Sequence, residues 1–377
     1  MSVRLGLFYP NARAIHTISG QVASRNPDVL HIDSHVAVAQ ACERIGLDYL
    51  FLADAWGSYG PHMSAIGLQD PMLLPPILAA ALIPVTRKIR LITTLHTSWF
   101  EPLQYVRMGG ALDRLSRGRW GMNIVSGSGF ADQVEGGPAA IPHDARYERA
   151  GEFVEIMTQA WTTGRVDFEG RHFRIHGAIV GPAPLQAPRP FIVSAGASDA
   201  GRDFAGHHAD CIFMPGRTPQ DELRKRVADI RRIAAGCGRP ADAIKVQMHA
   251  HIALRDTDAE AKEYSEWLAR SVDLEGVAEY LNAVRANIST YDDIYNSLGE
   301  LQMRAIGSVS GARKIHGGPT QVADGIAELV DGFGCDGVAL SFPVWQPEEI
   351  ERFGRTVLPI LEDRGLWSHP RTRDFGW

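Results

Sequence analysis

Short runs of β-branched and other apolar residues alternate along this chain with helix-length stretches whose apolar positions recur every three to four residues. Parallel strands buried on both faces read as continuous apolar runs, and each is followed by an amphipathic crossover helix, so the alternation points to repeated βα units. Strands are expected near residues 3–9, 49–53, 89–94, 121–125, 191–194, 211–214, 245–254 and 337–341. Helices are expected near 35–45, 71–83, 102–115, 147–161, 199–207 and 221–236, in a region after Thr257, and near 348–361. Eight such units are the number that closes a barrel. No Pro/Gly/Ser-rich linker, internal repeat or low-complexity tract divides the chain. The expected fold is therefore α/β, a (β/α)8 TIM barrel in a single domain spanning 1–377.

Two stretches exceed a plain barrel. Residues 168–190 read as a small hairpin and a Pro-rich connector before the fifth strand. Residues 257–318 are far longer than one helix and form a long insertion between strands seven and eight, with helical patterns at 257–271, 274–288 and 291–304. The insertion ends in a Gly-containing segment, 307–318, which reads either as a lid over an active site or as a plain surface loop.

In such a barrel the chemistry sits at the C-terminal ends of the strands. Those ends carry Asp54, Thr94 to Ser98, Asn123, Ser194 with Ser198, His249 with His251, and Ser341. Each follows an apolar run, and so many polar ends around one ring favour a polar ligand. Asn123 is a two-sided amide in an otherwise apolar strand. His143, Arg146 and Tyr147 stand at the start of the helical run 147–161, where unpaired N–H groups and the helix field favour an anion. The run Ser-Ala-Gly-Ala-Ser-Asp-Ala-Gly at 194–201 lets backbone approach a ligand, and Ser198 either caps the next helix or also binds a phosphate oxygen. His249 and His251 share one strand face and form a possible metal pair, but only Asp54, with His96 behind it, supplies further ligands at other strand ends. A buried histidine donating to a bound heterocycle fits that pair better. Trp99, Phe100, Phe342 and Trp345 form either an apolar substrate pocket or rim packing.

Composition narrows the partners. The chain has 377 residues, 45% hydrophobic and 22% charged, with a net charge of −6; dispersed Lys and Arg give no footprint for nucleic acid or an anionic membrane. Cys42, Cys211, Cys237 and Cys335 are too scattered for a zinc site, a redox dithiol or a disulfide scaffold. No Rossmann or P-loop spacing occurs. The start of the chain carries no signal pattern, and the most apolar stretch, 71–85, is too short to span a bilayer; the expected location is the cytoplasm.

Five blocks in series then resemble the bacterial luciferase-like flavin monooxygenases: Phe-Leu-Ala-Asp ending at Asp54, Leu-His-Thr-Ser-Trp at 95–99, Asn-Ile-Val-Ser-Gly at 123–127, His-Asp-Ala-Arg-Tyr-Glu-Arg at 143–149, and the 194–201 run. The closing Phe-Gly-Arg-Thr-Val-Leu-Pro-Ile-Leu at 353–361 matches the same group. The chain looks closest to the two-component branch that includes nitrilotriacetate, alkanesulfonate, dimethylsulfone and pyrimidine monooxygenases. The resemblance implies a barrel using reduced FMN and O2 to oxygenate a small organic substrate, a separate flavin reductase as the source of reduced FMN, and a homo-oligomer, dimer or tetramer. Matched position by position, it implies FMN contacts for Asp54, Thr97, Asn123, His143, Tyr147 and Ser198, and a phosphate or ribityl role for Arg146. His251 matches a histidine near the flavin and is the candidate for proton management, since an imidazole titrates near neutral pH; no metal is implied. His249 stands where the alkanesulfonate enzymes have an arginine, and Phe342 where they have a tyrosine, which argues for a less charged substrate. A deazaflavin-dependent oxidoreductase of the same fold and a non-catalytic flavin-binding barrel are the alternatives.

Overall fold

A computed structural model describes residues 2–9, 11–127, 141–196, 198–240, 242–287 and 299–373. Its strands are β1 (Arg4–Tyr9), β2 (Tyr49–Leu52), β3 (Arg90–His96), β4 (Trp120–Val125), β5 (Val166–Glu169), β6 (Arg174–Ala178), β7 (Phe191–Ser194), β8 (Cys211–Met214), β9 (Lys245–Leu254), β10 (Arg313–Gly317) and β11 (Gly337–Ser341). The main sheet runs β10-β9-β11-β1-β2-β3-β4-β7-β8, and a further β9–β8 pairing closes eight of these strands into a ring. Within this sheet β1 pairs in parallel with β2, Gly6 opposite Tyr49, and β4 with β7, Asn123 opposite Val193. This is the (β/α)8 barrel expected from the apolar runs, whose strands are buried nearly throughout.

The chain forms two compact units: Met1–Leu74, Pro215–Thr218 and Met248–Trp377 make the first, and Pro75–Met214 with Pro219–Gln247 the second. In the first unit Tyr49 is fully buried and fills the space over Gly6, where any Cβ would lie 2.1 Å from its ring. Ile18, Met63, Leu68, Val272 and Val277 form an apolar cluster that seats the insertion helices Leu274–Asn287 and Glu300–Ser308. A Thr257/Glu260 capping box starts the helix Asp258–Arg270, whose Tyr264 and Leu268 pack against Val22, Ala253 and Val344. In the second unit the buried Asp113 carboxylate accepts from Leu185 N at 2.6 Å, Gln186 N at 3.1 Å and Gln186 Nε2 at 2.6 Å. Those bonds fix the Pro-rich connector, and the antiparallel β5–β6 pair is the expected hairpin.

Three expectations change. The segment 307–318, read as a loop from its glycines, holds β10, whose Arg313–Gly317 pair residue by residue with Ala250–Leu254 of β9. Buried Val309, Ala312 and Ile315 anchor it; the glycines mark the approach to a ninth strand. The helical pattern at 291–304 appears as Glu300–Ser308, and 288–298 lie outside the described residues. The helix expected from Tyr147 begins at His143 and runs to Thr163. Among the described residues no helix is long and apolar enough to cross a membrane.

Candidate functional site

In the second unit, six of the expected cofactor residues stand on elements that follow β3, β4 and β7. Asn123, in β4, is buried, and its Nδ2 donates to Thr94 Oγ1 at 3.3 Å while its Oδ1 is buried without a hydrogen-bond partner. Thr97, fully buried in the turn after β3, donates to the Val125 carbonyl at 3.3 Å. The Arg149 guanidinium donates to the Thr97 carbonyl, and to that of Phe100 at 3.4 Å, so this turn is braced from the helix His143–Thr163. Burial lowers the Arg149 pKa, with Glu101 and Glu152 opposing the shift.

The start of that helix is Pro142, which offers no side-chain cap to the first-turn N–H groups. Arg146 lies in this turn beside Gly127, whose φ is +136° and whose added Cβ would sit 2.6 Å from Ser98 Oγ and 3.5 Å from Arg146 Cδ. Arg146 Nε and Ser98 Oγ are both buried without a partner. His143 is exposed, bonded to Asp144 at 2.8 Å, with its ring edge-on to Tyr147 at 5.4 Å. The Tyr147 hydroxyl reaches Gly196 and Gly201, where a Cβ would meet it at 2.8 and 3.1 Å. Ser198 caps the helix Asp199–His208 by accepting from Gly201 N at 3.1 Å, which leaves its own proton free to donate to a second acceptor.

These atoms fit a flavin phosphate and ring edge. An anion finds a cation, a hydroxyl and unopposed helix N–H groups; a heterocycle finds an amide oxygen already desolvated. A neighbouring cleft of the same unit is lined by Asp144, Glu148, Glu155, Asp199, Asp203 and Asp229, and the Arg202 and Arg232 guanidiniums in it are already bonded to Asp229. Its acidic lining makes it the wrong place for a phosphate.

The first unit holds Asp54 and His251. Asp54 Oδ1 accepts from Trp56 N at 3.0 Å in the turn after β2. His249 and His251 share a buried face, as their spacing predicts, but they lie inside β9, which continues through Leu254, and not at its end. One hydroxyl joins them: Ser341 Oγ is 2.9 Å from His249 Nε2 and 2.9 Å from His251 Nδ1. His251 Nε2 is 3.1 Å from Thr17 Oγ1, which donates to the Ser308 carbonyl at 3.2 Å.

Proton directions follow from the carbonyl. Thr17 spends its proton on Ser308, so it accepts from His251 Nε2–H. His251 Nδ1 is then bare and takes the Ser341 proton, and Ser341 accepts from His249 Nε2–H. Both imidazoles are pushed well below their usual pKa, chiefly by burial and then by neighbouring histidines. The expectation that His251 titrates near neutral pH is therefore corrected: it is a neutral ring, committed at both nitrogens.

His16 and Thr17 escaped the sequence reading, because they follow β1 in an irregular segment with no periodic signal. Gly127 and Arg149 were legible only as parts of motifs. Among the described residues no group of three or more His, Cys, Asp or Glu is placed to hold a metal ion.

A parallel eight-stranded barrel with unpartnered buried polar atoms in β4 and on the elements that follow β3 and β4 is the frame of an enzyme whose ligand lies at the strand ends. The sequence profile of the luciferase-like monooxygenases matches residues 3–336, and the chain belongs to that family. It is 28% identical to nitrilotriacetate monooxygenase component A of Aminobacter aminovorans, covering 89% of this chain and 86% of that protein. It is also 28% identical to the FMNH2-dependent dimethylsulfone monooxygenase of Pseudomonas putida, covering 88% of each. A riboflavin lyase, solved with modified FMN and riboflavin, superposes with a TM-score of 0.83 at 28% identity, covering 100% of this chain and 94% of that one.

Proposed function

We propose that this protein is a two-component monooxygenase that uses reduced FMN and O2 to oxygenate a small organic substrate. The observation that carries the reading is a set of three buried polar atoms without protein partners, Asn123 Oδ1, Ser98 Oγ and Arg146 Nε. They lie in a chain of the luciferase-like family whose relatives include an FMNH2-dependent monooxygenase. Buried polar atoms are almost always paired, so these are read as contacts kept for a ligand.

When bound, reduced FMN supplies the activation of O2 and the oxygen transfer. The chain's own residues bind and orient. Arg146, the uncapped start of the helix His143–Thr163 and the Ser198 hydroxyl hold the phosphate, with His143 and Tyr147 beside them. Gly196 and Gly201 keep the approach open. Asn123 offers an acceptor to a ring N–H, Thr97 lies next to it along the strand ends, and Asp54 takes a further flavin contact from its turn. His251 is assigned to the oxidative half-reaction as a neutral imidazole that orients a hydrogen bond. A flavin reductase delivers the cofactor, the enzyme works in the cytoplasm, and the protein assembles as a homo-oligomer.

The test is direct. Enzyme mixed with photoreduced FMN under argon should retain it through rapid gel filtration. Admitting 18O2 with a panel of small substrates should place one labelled oxygen in a product. Failure to retain reduced FMN, or anaerobic hydride transfer with a deazaflavin in its place, refutes the reading.

A further inference from the structure

We infer that Arg149 is a positioning residue for the flavin site, and that the β5–β6 hairpin, through Phe173, holds it to that task. The inference rests on the monooxygenase reading, which makes Thr97 a flavin contact. The hairpin is a separate two-stranded sheet outside the barrel, so closing the ring of strands does not require it. Its role shows in two side chains of the helix His143–Thr163 that stand three residues apart and share one face. Glu152 grips the hairpin turn: its Oε1 accepts from Arg171 N at 2.7 Å, and its Oε2 from His172 N at 2.9 Å and Phe173 N at 3.0 Å. Arg149 grips the turn after β3, donating to the carbonyls of Thr97 and Phe100. Phe173 connects the two grips, because the Arg149 guanidinium carbon stands 4.6 Å over the centre of its buried ring.

This is not an ordinary ion pair. The Arg149 side chain is 12% exposed, whereas the Glu101 carboxylate it faces, 3.7 Å away, is 65% exposed; a pair that open to water contributes little. The cation is held by two carbonyls and an aromatic face. A planar guanidinium fork makes those contacts together, and a lysine ammonium cannot span them. What Arg149 fixes is the direction of the Thr97 hydroxyl. Thr97 Oγ1 spends its proton on the Val125 carbonyl at 3.3 Å, so toward a ligand it only accepts, from a ring N–H or a ribityl O–H. An acceptor that must meet one donor depends on a turn that does not drift. That turn is held at the hydroxyl by the end of β4 and at its carbonyls by Arg149.

Four variants test this chain of contacts: Arg149→Met, Arg149→Lys, Phe173→Leu and the double variant Arg149→Met/Phe173→Leu. Photoreduced FMN and photoreduced riboflavin are titrated into each under argon, and urea unfolding reports whether each is folded. Arg149→Met should weaken both flavins by about three- to ten-fold, the worth of one neutral hydrogen bond. The two losses should be equal, since Thr97 meets the part both ligands share. Arg149→Lys should recover part of the loss. Phe173→Leu should weaken both by about two- to five-fold, the worth of a modest cation–π contact. That effect needs Arg149, so the double variant should bind no more weakly than Arg149→Met, the non-additivity of residues acting through one contact. A packing role alone would lower the urea midpoint and leave the flavin affinity of the folded protein unchanged. Wild-type affinity in folded Arg149→Met, a loss confined to FMN, or multiplied losses in the double variant overturns the inference. If Arg149→Met does not fold, Arg149→Lys and Phe173→Leu carry the test, and wild-type affinity in both overturns it. Wild-type enzyme that retains neither flavin refutes the monooxygenase reading itself; retention by the wild type with unchanged variants refutes only the role of Arg149.

Discussion

Replacing Thr17 by Val tests the hydrogen-bond directions that define the state of His251. The side chains are nearly the same size, so the change opens no cavity; it removes the one acceptor of His251 Nε2–H at 3.1 Å and the donor to Ser308 at 3.2 Å. If the ring kept its proton on Nε2, a buried N–H would go unpaired, at a cost of about 1–3 kcal/mol. A cheaper state exists. The proton moves to Nδ1 and donates to Ser341, whose own proton turns to the Ala250 carbonyl at 3.3 Å. Only a lone pair and the Ser308 carbonyl are then left unpaired, so the net loss should fall near the lower end, about 1 kcal/mol. Nitrogen-15 shifts of labelled histidine report the tautomer directly: Nε2–H in the wild type, Nδ1–H in Thr17→Val, and Nε2–H again in Thr17→Ser. Urea unfolding reports the energy, and product formed per reduced FMN consumed reports the consequence for coupling, with hydrogen peroxide as the unproductive outlet. An Nδ1–H ring in the wild type would refute the assignment at once. A Val variant with the wild-type tautomer and undiminished stability would refute it equally.

Other consequences are sharp enough to check. Ser198→Ala should weaken FMN more than riboflavin, because only FMN carries the phosphate, with about 1 kcal/mol of stability also lost from the helix cap; equal losses for both ligands would remove Ser198 from the phosphate site. Arg146→Met should weaken FMN by about ten- to a hundred-fold, the range for a hydrogen bond to a charged group, and a calorimetric titration showing less than a three-fold change would exclude a phosphate contact. Acid should destabilise the fold between about pH 6.5 and 4. His16 and His208 are held down at about 4, mainly by burial, so in that window the unfolded chain binds protons the native one refuses. Stability then rises with pH, by about 1.4 kcal/mol per unit for each such imidazole; a flat urea midpoint from pH 7 to 5 would contradict the burial of these rings.

Much of the fold was readable because parallel strands buried on both faces cannot hide. The expected 191–194, 211–214 and 245–254 match β7, β8 and β9 to the residue. What failed was β10. Its sequence, Arg-Lys-Ile-His-Gly, has one fully apolar residue among five, since it pairs along a single edge of β9 and leaves Lys314 exposed. A strand that buries so little carries no apolar run, and the flanking glycines then dominate a reading by pattern. The same limit moved the helix start from Tyr147 to His143: the first turn, His-Asp-Ala-Arg, has no apolar face to bury in the core.

The candidate site divides along a similar line. Residue type was legible and residue state was not. An Asn in an apolar strand stands out from sequence alone, and its Oδ1 is buried and unpaired. A His-x-His pair announces two imidazoles on one face, and they share the Ser341 hydroxyl. Whether those rings carry charge depends on Thr17, Ser341 and the Ser308 carbonyl, brought in from segments 234, 90 and 57 residues away from His251 in the chain (251−17, 341−251 and 308−251). Each partner is a small hydroxyl or a backbone group, the kind of residue that leaves no pattern. An imidazole chosen for proton transfer near neutral pH needs a carboxylate or water to hold its cation, and the protein contacts of His251 are two hydroxyls among buried rings. That environment favours a fixed hydrogen-bond direction over a mobile charge. The chemistry to expect from His251 is therefore orientation, with a pH profile of coupling that stays flat through the range in which an ordinary histidine would titrate.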